Sequence, residues 1–115
     1  MSQANGTDST PDTHPDAELI AACREHVEAR DIFNRLGGKA EMEDCPLAQR
    51  YLAAFRAVDN APPATTMEGI TALARSAAAE ARNTLEGPRI WDDPAGAWAG
   101  DAVLSLLRLN GEPAA

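Results

Sequence analysis

The sequence predicts an all-α fold: a small bundle of about four amphipathic helices built on helical hairpins, preceded by a disordered N-terminal tail. Three observations carry this prediction. Hydrophobic residues make up 44% of the 115-residue chain but aromatics only 4%, so the core must be built from Leu, Ile, Val and many Ala. Alanine is the best helix former and lets helices approach closely, whereas runs of Val, Ile, Thr and Tyr that would mark strands are missing. Finally, apolar residues recur at helical spacing in four segments punctuated by Gly and Pro.

Residues 1–14 read as the tail. Ser, Thr, Asn, Gly, Asp and Pro dominate there, and after Met1 no apolar side chain exceeds Ala, so nothing offsets the entropy of ordering it. A single domain is expected over 15–111, with 112–115 frayed.

The first helix starts at Pro15, a preferred first-turn residue, followed by Asp16 and Glu18 at the positive end of the helix dipole. Leu19, Ile20, Cys23, His26, Val27, Phe33 and Leu36 form its broad apolar side, and Gly37-Gly38 ends it. Asp31 and Arg35 are spaced to pair. The apolar sector shifts along this helix, so its far end, with Ile32, Phe33 and Leu36, is a candidate partner-binding surface. The second helix begins near Asp44–Pro46, where Leu47, Tyr51, Phe55 and Val58 form a single stripe. Asp59-Asn60-Ala61-Pro62-Pro63 stops it.

The third helix opens on a capping box, Thr65-Thr66-Met67-Glu68, with Thr65 as the expected cap. Met67, Ile70, Leu73, Ala77, Ala81 and Leu85 trace its buried side, and Gly87-Pro88 is the expected stop. The fourth starts at Asp93-Pro94, an N-cap followed by proline. Trp98, Ala102, Val103, Leu106, Leu107 and Leu109 give it an apolar side, and Asn110-Gly111 ends it.

Composition also excludes functions. A net charge of −8 repels phosphate backbones and anionic lipid heads. No stretch approaches the ~18 apolar residues of a membrane span. The opening segment has neither a basic start nor an apolar run, so no signal peptide is expected. The expected address is the cytoplasm, with free thiols.

Candidate chemistry is sparse. Cys23 and His26 share one helix side, and Cys45 and His14 could add two further ligands for a zinc ion. The same pair could make a thiolate–imidazole couple, but no Gly-rich loop, nucleophile elbow or third orienting residue accompanies it. The expected arrangement is Cys23 in the core and His26 at its boundary, with no metal, no cofactor and no enzymatic activity. Glu41, Glu43, Asp44, Asp92 and Asp93 lie at helix starts, where capping explains them. A helix-turn-helix at 46–85 would present Arg75 and Arg82, but also Glu68, Glu80 and Glu86, on a helix reached by too long a connector. Trp91 and Trp98 flank the fourth helix's cap; both are expected to pack in the core, and the alternative is an anchor for a protein partner.

His14 to Cys23 resembles the opening of small helical proteins of alphaproteobacteria, some from prophage-like regions. Pro63 to Arg75 is similar to a segment of the same group, and the Leu-rich last helix fits its pattern. The group usually carries Lys at the position of Leu73, so no role of that lysine transfers. The resemblance implies a helical-hairpin fold and mobile-element ancestry, and implies no activity. The expected function is therefore a non-enzymatic interaction or accessory protein. Its partner would be another protein, a second copy of itself included, with no membrane. Two alternatives remain open: a nucleic-acid-linked regulator, binding directly or as an acidic mimic, and a thiol or metal site at Cys23, His26 and Cys45.

Overall fold

A computed structural model describes residues 14–36, 46–82 and 88–111. Four helices follow in order: α1 (Ala17–Leu36), α2 (Pro46–Asn60), α3 (Met67–Ala81) and α4 (Ala95–Leu109). The all-α prediction holds. The expected tail, apart from His14, and the frayed end at 112–115 fall outside the described residues, as do Gly37, Gly38, Glu41, Glu43, Asp44, Cys45, Leu85, Glu86 and Gly87. No helix among the described residues is long and apolar enough to cross a membrane.

Helix α1 is the shared element. It packs against α2 and α3, and α4 packs against α3. Nine of the fifteen buried apolar residues described are alanine: Ala22, Ala29, Ala48, Ala54, Ala64, Ala77, Ala81, Ala95 and Ala102. The helix interfaces are correspondingly thin. Leu19, Val58, Ile70, Leu73 and Trp98 supply the larger core side chains. Trp98 of α4 reaches Phe55 of α2, with ring centroids 5.2 Å apart, and donates its Nε1–H to Asp59 at 3.2 Å. That contact brings the two outer helices together.

The start of α3 departs from the expected capping box. Thr66, not Thr65, is the N-cap, and its hydroxyl oxygen accepts the Gly69 N–H at 3.1 Å. The cap is reinforced from α1. Asp16, only 4% exposed, accepts the backbone N–H groups of Thr65 and Thr66 and the hydroxyls of both. Burial works against its charged form, but the hydroxyl and N–H donors of Thr66 and Thr65 outweigh it and hold its carboxyl below the usual range. Asp16 therefore caps a helix 50 residues away rather than serving only its own dipole.

The end of α3 also differs from expectation. The helix stops at Ala81, and Arg82 turns to extended backbone. The causes are tertiary. The Arg82 carbonyl accepts from Arg30 at 2.9 Å and Asn34 at 3.3 Å, while the Ala81 carbonyl accepts the Ile90 N–H at 2.7 Å. Partners elsewhere in the fold thus consume the terminal carbonyls that would otherwise extend the helix. At α4 the cap is Pro94 without a side-chain bond, and the Asp92 carbonyl accepts the Gly96 N–H at 2.9 Å. The expected Asp93 cap is replaced by this backbone arrangement.

Gly69 has a steric role in the α1–α3 clasp. A Cβ there would collide with the carboxylate of Asp16. Gly69→Ala should thus cost about 2 kcal/mol, although alanine is intrinsically the better helix former by about 1 kcal/mol. Asp16→Ala should cost a similar ~2 kcal/mol, because it removes the acceptor shared by the Thr65 and Thr66 N–H and hydroxyl donors and with it the reinforcement of the α3 cap. Urea denaturation of the two variants and the double variant checks this. Because both act on one contact, the double variant should fall well short of the sum.

Candidate functional site

The polar centre of the bundle is built around His26. Helical periodicity places this residue on the buried side of α1, and there it is 0% exposed, so the expected boundary position is corrected. Its ring meets all three other helices. Nε2 lies 2.8 Å from Glu80 Oε1 and Nδ1 lies 3.1 Å from Ser76 Oγ, both on α3. The Trp98 ring of α4 stands edge-on at 5.0 Å, and Tyr51 of α2 lies 5.9 Å away.

Glu80 collects the charges of this centre. The Tyr51 hydroxyl donates to its Oε2 at 2.6 Å, and Arg30 lies 3.5 Å from the same oxygen. Burial opposes ionisation of Glu80. The hydrogen bonds from His26 and Tyr51 and the charge of Arg30 overcome that penalty, so its carboxyl is held below the usual glutamate value. As a carboxylate it can only accept, which assigns the His26 Nε2 a proton to donate. Burial first, and then the donated bond to Glu80 and its negative charge, push the Tyr51 phenol upward. Arg30 donates on to the Arg82 carbonyl and its guanidinium sits 5.5 Å over the Tyr51 ring, leaving its buried Nε without a partner. The Ser76 hydroxyl lies between His26 Nδ1 and the Cys23 carbonyl, 3.3 Å away, and has one proton to give.

This arrangement orders the helices rather than exposing a reactive group. Cys23 is 1% exposed, and burial raises its thiol pKa despite a hydrogen bond with Ser76. His26 turns its Nδ1 to Ser76, not to the thiol. Cys45 lies outside the described residues. No group of three or more His, Cys, Asp or Glu side chains suited to a metal occurs among the described residues. A surface groove of about 690 Å³ runs between α1 and α3, with Ile20 and Ala72 in its floor and Arg24, Glu68 and Arg75 at its rim. Among the described residues, none of those rim groups is hydrogen-bonded to another.

The sequence-selected partner candidates separate in space. Trp98 is 2% exposed and belongs to the core, so it offers no surface. Trp91 is 50% exposed, which corrects its expected core position. Ile32 and Phe33 are half-buried, and Phe33 lies 5.5 Å from the Tyr51 ring. The Leu36 side chain is outside what is described.

A second surface was not expected from the sequence. Val103, Leu104, Leu106 and Leu109 of α4 are exposed, as is Ile90 beside Trp91. The signal was present: α4 carries apolar residues around most of its circumference, more than one packed side can bury. Compared with protein-family models, curated proteins and solved structures, the chain finds no match.

The titration of the polar centre sets its pH dependence. Glu80 and Asp16 have lowered values, so both stabilise the fold above the ordinary carboxylate range and lose that contribution as pH falls through their folded values. Tyr51 has a raised value, so its contribution is intact below its ordinary 10.0 and is lost as pH climbs above it. Unfolding free energy measured in urea should stay near its maximum from about pH 5 to 9 and fall on both sides. Glu80→Gln should lower the plateau by about 3 kcal/mol and shrink the acid-side loss. An unchanged acid limb in that variant would count against the assignment.

Proposed function

We propose that this protein is a non-enzymatic helical interaction protein, an accessory or regulatory factor that works by binding another protein. The observation that carries this reading is the uncovered apolar surface on and just before α4. Val103 is 56% exposed, Trp91 50%, Leu109 46% and Ile90 42%. Single exposed apolar residues are ordinary, but a cluster on one short element marks an interaction surface. A half-exposed Trp beside it has the character of an interface anchor.

The hydrogen-bonded polar centre supports the same reading. It gives α4 a rigid mount, since Trp98 fixes that helix against His26, Phe55 and Asp59. A rigid helix loses little entropy when a partner docks on it. The mobile-element ancestry implied by the resemblance belongs to this reading and suits an adaptor acting on a host or phage protein. A cytoplasmic site of action belongs to it as well.

Affinity capture of the full chain from its native cells, compared with a Val103→Glu/Leu106→Glu double variant, tests the proposal. Both positions are exposed, so the double variant should keep its helical circular dichroism and lose less than about 1 kcal/mol of stability. The expected result is a protein captured by the wild type and reduced at least tenfold with the double variant. Equal capture by both would refute α4 as the binding element.

A further inference from the structure

The groove between α1 and α3 is separate from α4, since no α4 residue lines it. It has two parts, about 690 Å³ at the His14 and Met67 end and about 390 Å³ toward Val27. Both parts are lined by Ile20, Arg24, Ala72 and Arg75, so they form one trough. Its walls run parallel: Asp16 meets Thr66 near the two helix starts, and His26 meets Glu80 farther along both. Along α1 the trough extends from Ala17 to Glu28, about 16 Å or three helical turns.

Charge marks the middle of this trough. Arg30, Arg35, Arg50, Arg89 and Arg108 each donate to an acceptor within the fold. Arg24 and Arg75 are exposed and have no such acceptor among the described residues. The Ser76 hydroxyl reaches the Cys23 carbonyl, which sets the neighbouring Arg24 and Arg75 at one level on the two walls. Two guanidiniums so placed repel each other, and an anion between them relieves the repulsion. Two carboxylates belong to the same trough. Glu28 is engaged by Arg50 at 2.6 Å, and Glu68 lies about 10 Å before Arg75 along α3, beyond the Debye length at physiological salt. In a chain of net charge −8, an acidic segment is repelled by most of the surface but matched at this pair.

Shape selects the form of that segment. Both walls are helices, whose backbone N–H and C=O groups are satisfied internally, so an extended peptide would find no ladder to join. A helix brings its own backbone bonds. Ala21 and Ala72 are small enough to let its axis come close, while Ile20 and Val27, two turns apart on α1, offer apolar contacts between them.

We infer that the α1–α3 trough docks an acidic amphipathic helix of a partner protein. The apolar side of that helix lies on Ile20, Ala72 and Val27, and its carboxylates pair with Arg24 and Arg75. This adds a second contact surface to the interaction protein proposed above, and it stands independently of α4.

Two fluorescein-labelled peptides of about 14 residues test it, with one shared Leu and Ala face flanked by Glu in the first and by Lys in the second. Anisotropy is read against the full chain. The Glu peptide should bind about tenfold more tightly than the Lys peptide at low salt, and added salt should narrow the gap. Arg24→Glu/Arg75→Glu should keep its helical circular dichroism, because both residues are exposed, and should reverse the preference. Val103→Glu/Leu106→Glu should leave the preference unchanged, because α4 does not line the trough. Equal binding of the two peptides, binding of neither, or a preference that survives the charge swap would overturn the site. So would tighter binding of an oligothymidylate that the swap abolishes, which would assign the arginine pair to nucleic acid. Each of these failures leaves the α4 reading standing, since capture through Val103 and Leu106 is measured separately.

Discussion

The fold depends on one buried imidazole. His26 is the side chain on which α1, α2, α3 and α4 converge, and its Nε2–H is committed to Glu80 at 2.8 Å. A buried carboxylate is tolerable only when its lone pairs are occupied, and Glu80 meets that demand with donors from two other helices. The condition is strict. Losing either His26 or Tyr51 leaves a largely buried carboxylate short of a donor.

This matters because the remaining core is so alanine-rich. Alanine interfaces bring backbones close but offer few knobs to fix the axial position of one helix against another. Directional bonds supply what shape does not. Ser76 and Glu80 fix α3 on α1, Tyr51 fixes α2 to the same carboxylate, and Trp98 ties α4 to both α1 and α2. At the other end of the α1–α3 seam, Asp16 caps α3 from outside it, and the closeness allowed by Gly69 makes that possible. On the outer side, Arg50 joins α2 to Glu25 and Glu28 of α1, though these pairs are partly exposed and contribute little.

Local chemistry was legible in the sequence; long-range pairing was not. The punctuation by Pro15, Pro46, Pro62-Pro63 and Pro94 located all four helices, because proline acts on its own neighbours. The end of α3 at Ala81 was not legible, since it depends on Arg30 and Ile90 reaching its last carbonyls. Glu80 read as a solvated charge because a helical pattern treats every carboxylate as surface, whereas its burial depends on partners from α1 and α2. For α4 the pattern showed an apolar helix but could not choose its covered side. Trp98 and Ala102 went inward, while Val103 and Leu106 stayed out. Trp91 was misplaced for the same reason, as nothing local distinguishes an exposed ring from a core ring.

The functional reading follows from the division between a closed interior and an open α4. Cys23, the one cysteine among the described residues, is held as a buried thiol, and the polar side chains around it spend their hydrogen bonds on each other. Proton NMR of the His26 ring tests this account most directly. An Nε2–H signal should be observable at neutral pH, protected from exchange with water and showing nuclear Overhauser contacts to the Tyr51 and Trp98 rings. A His26 ring that exchanges freely with solvent, or lacks contact with either aromatic, would contradict it.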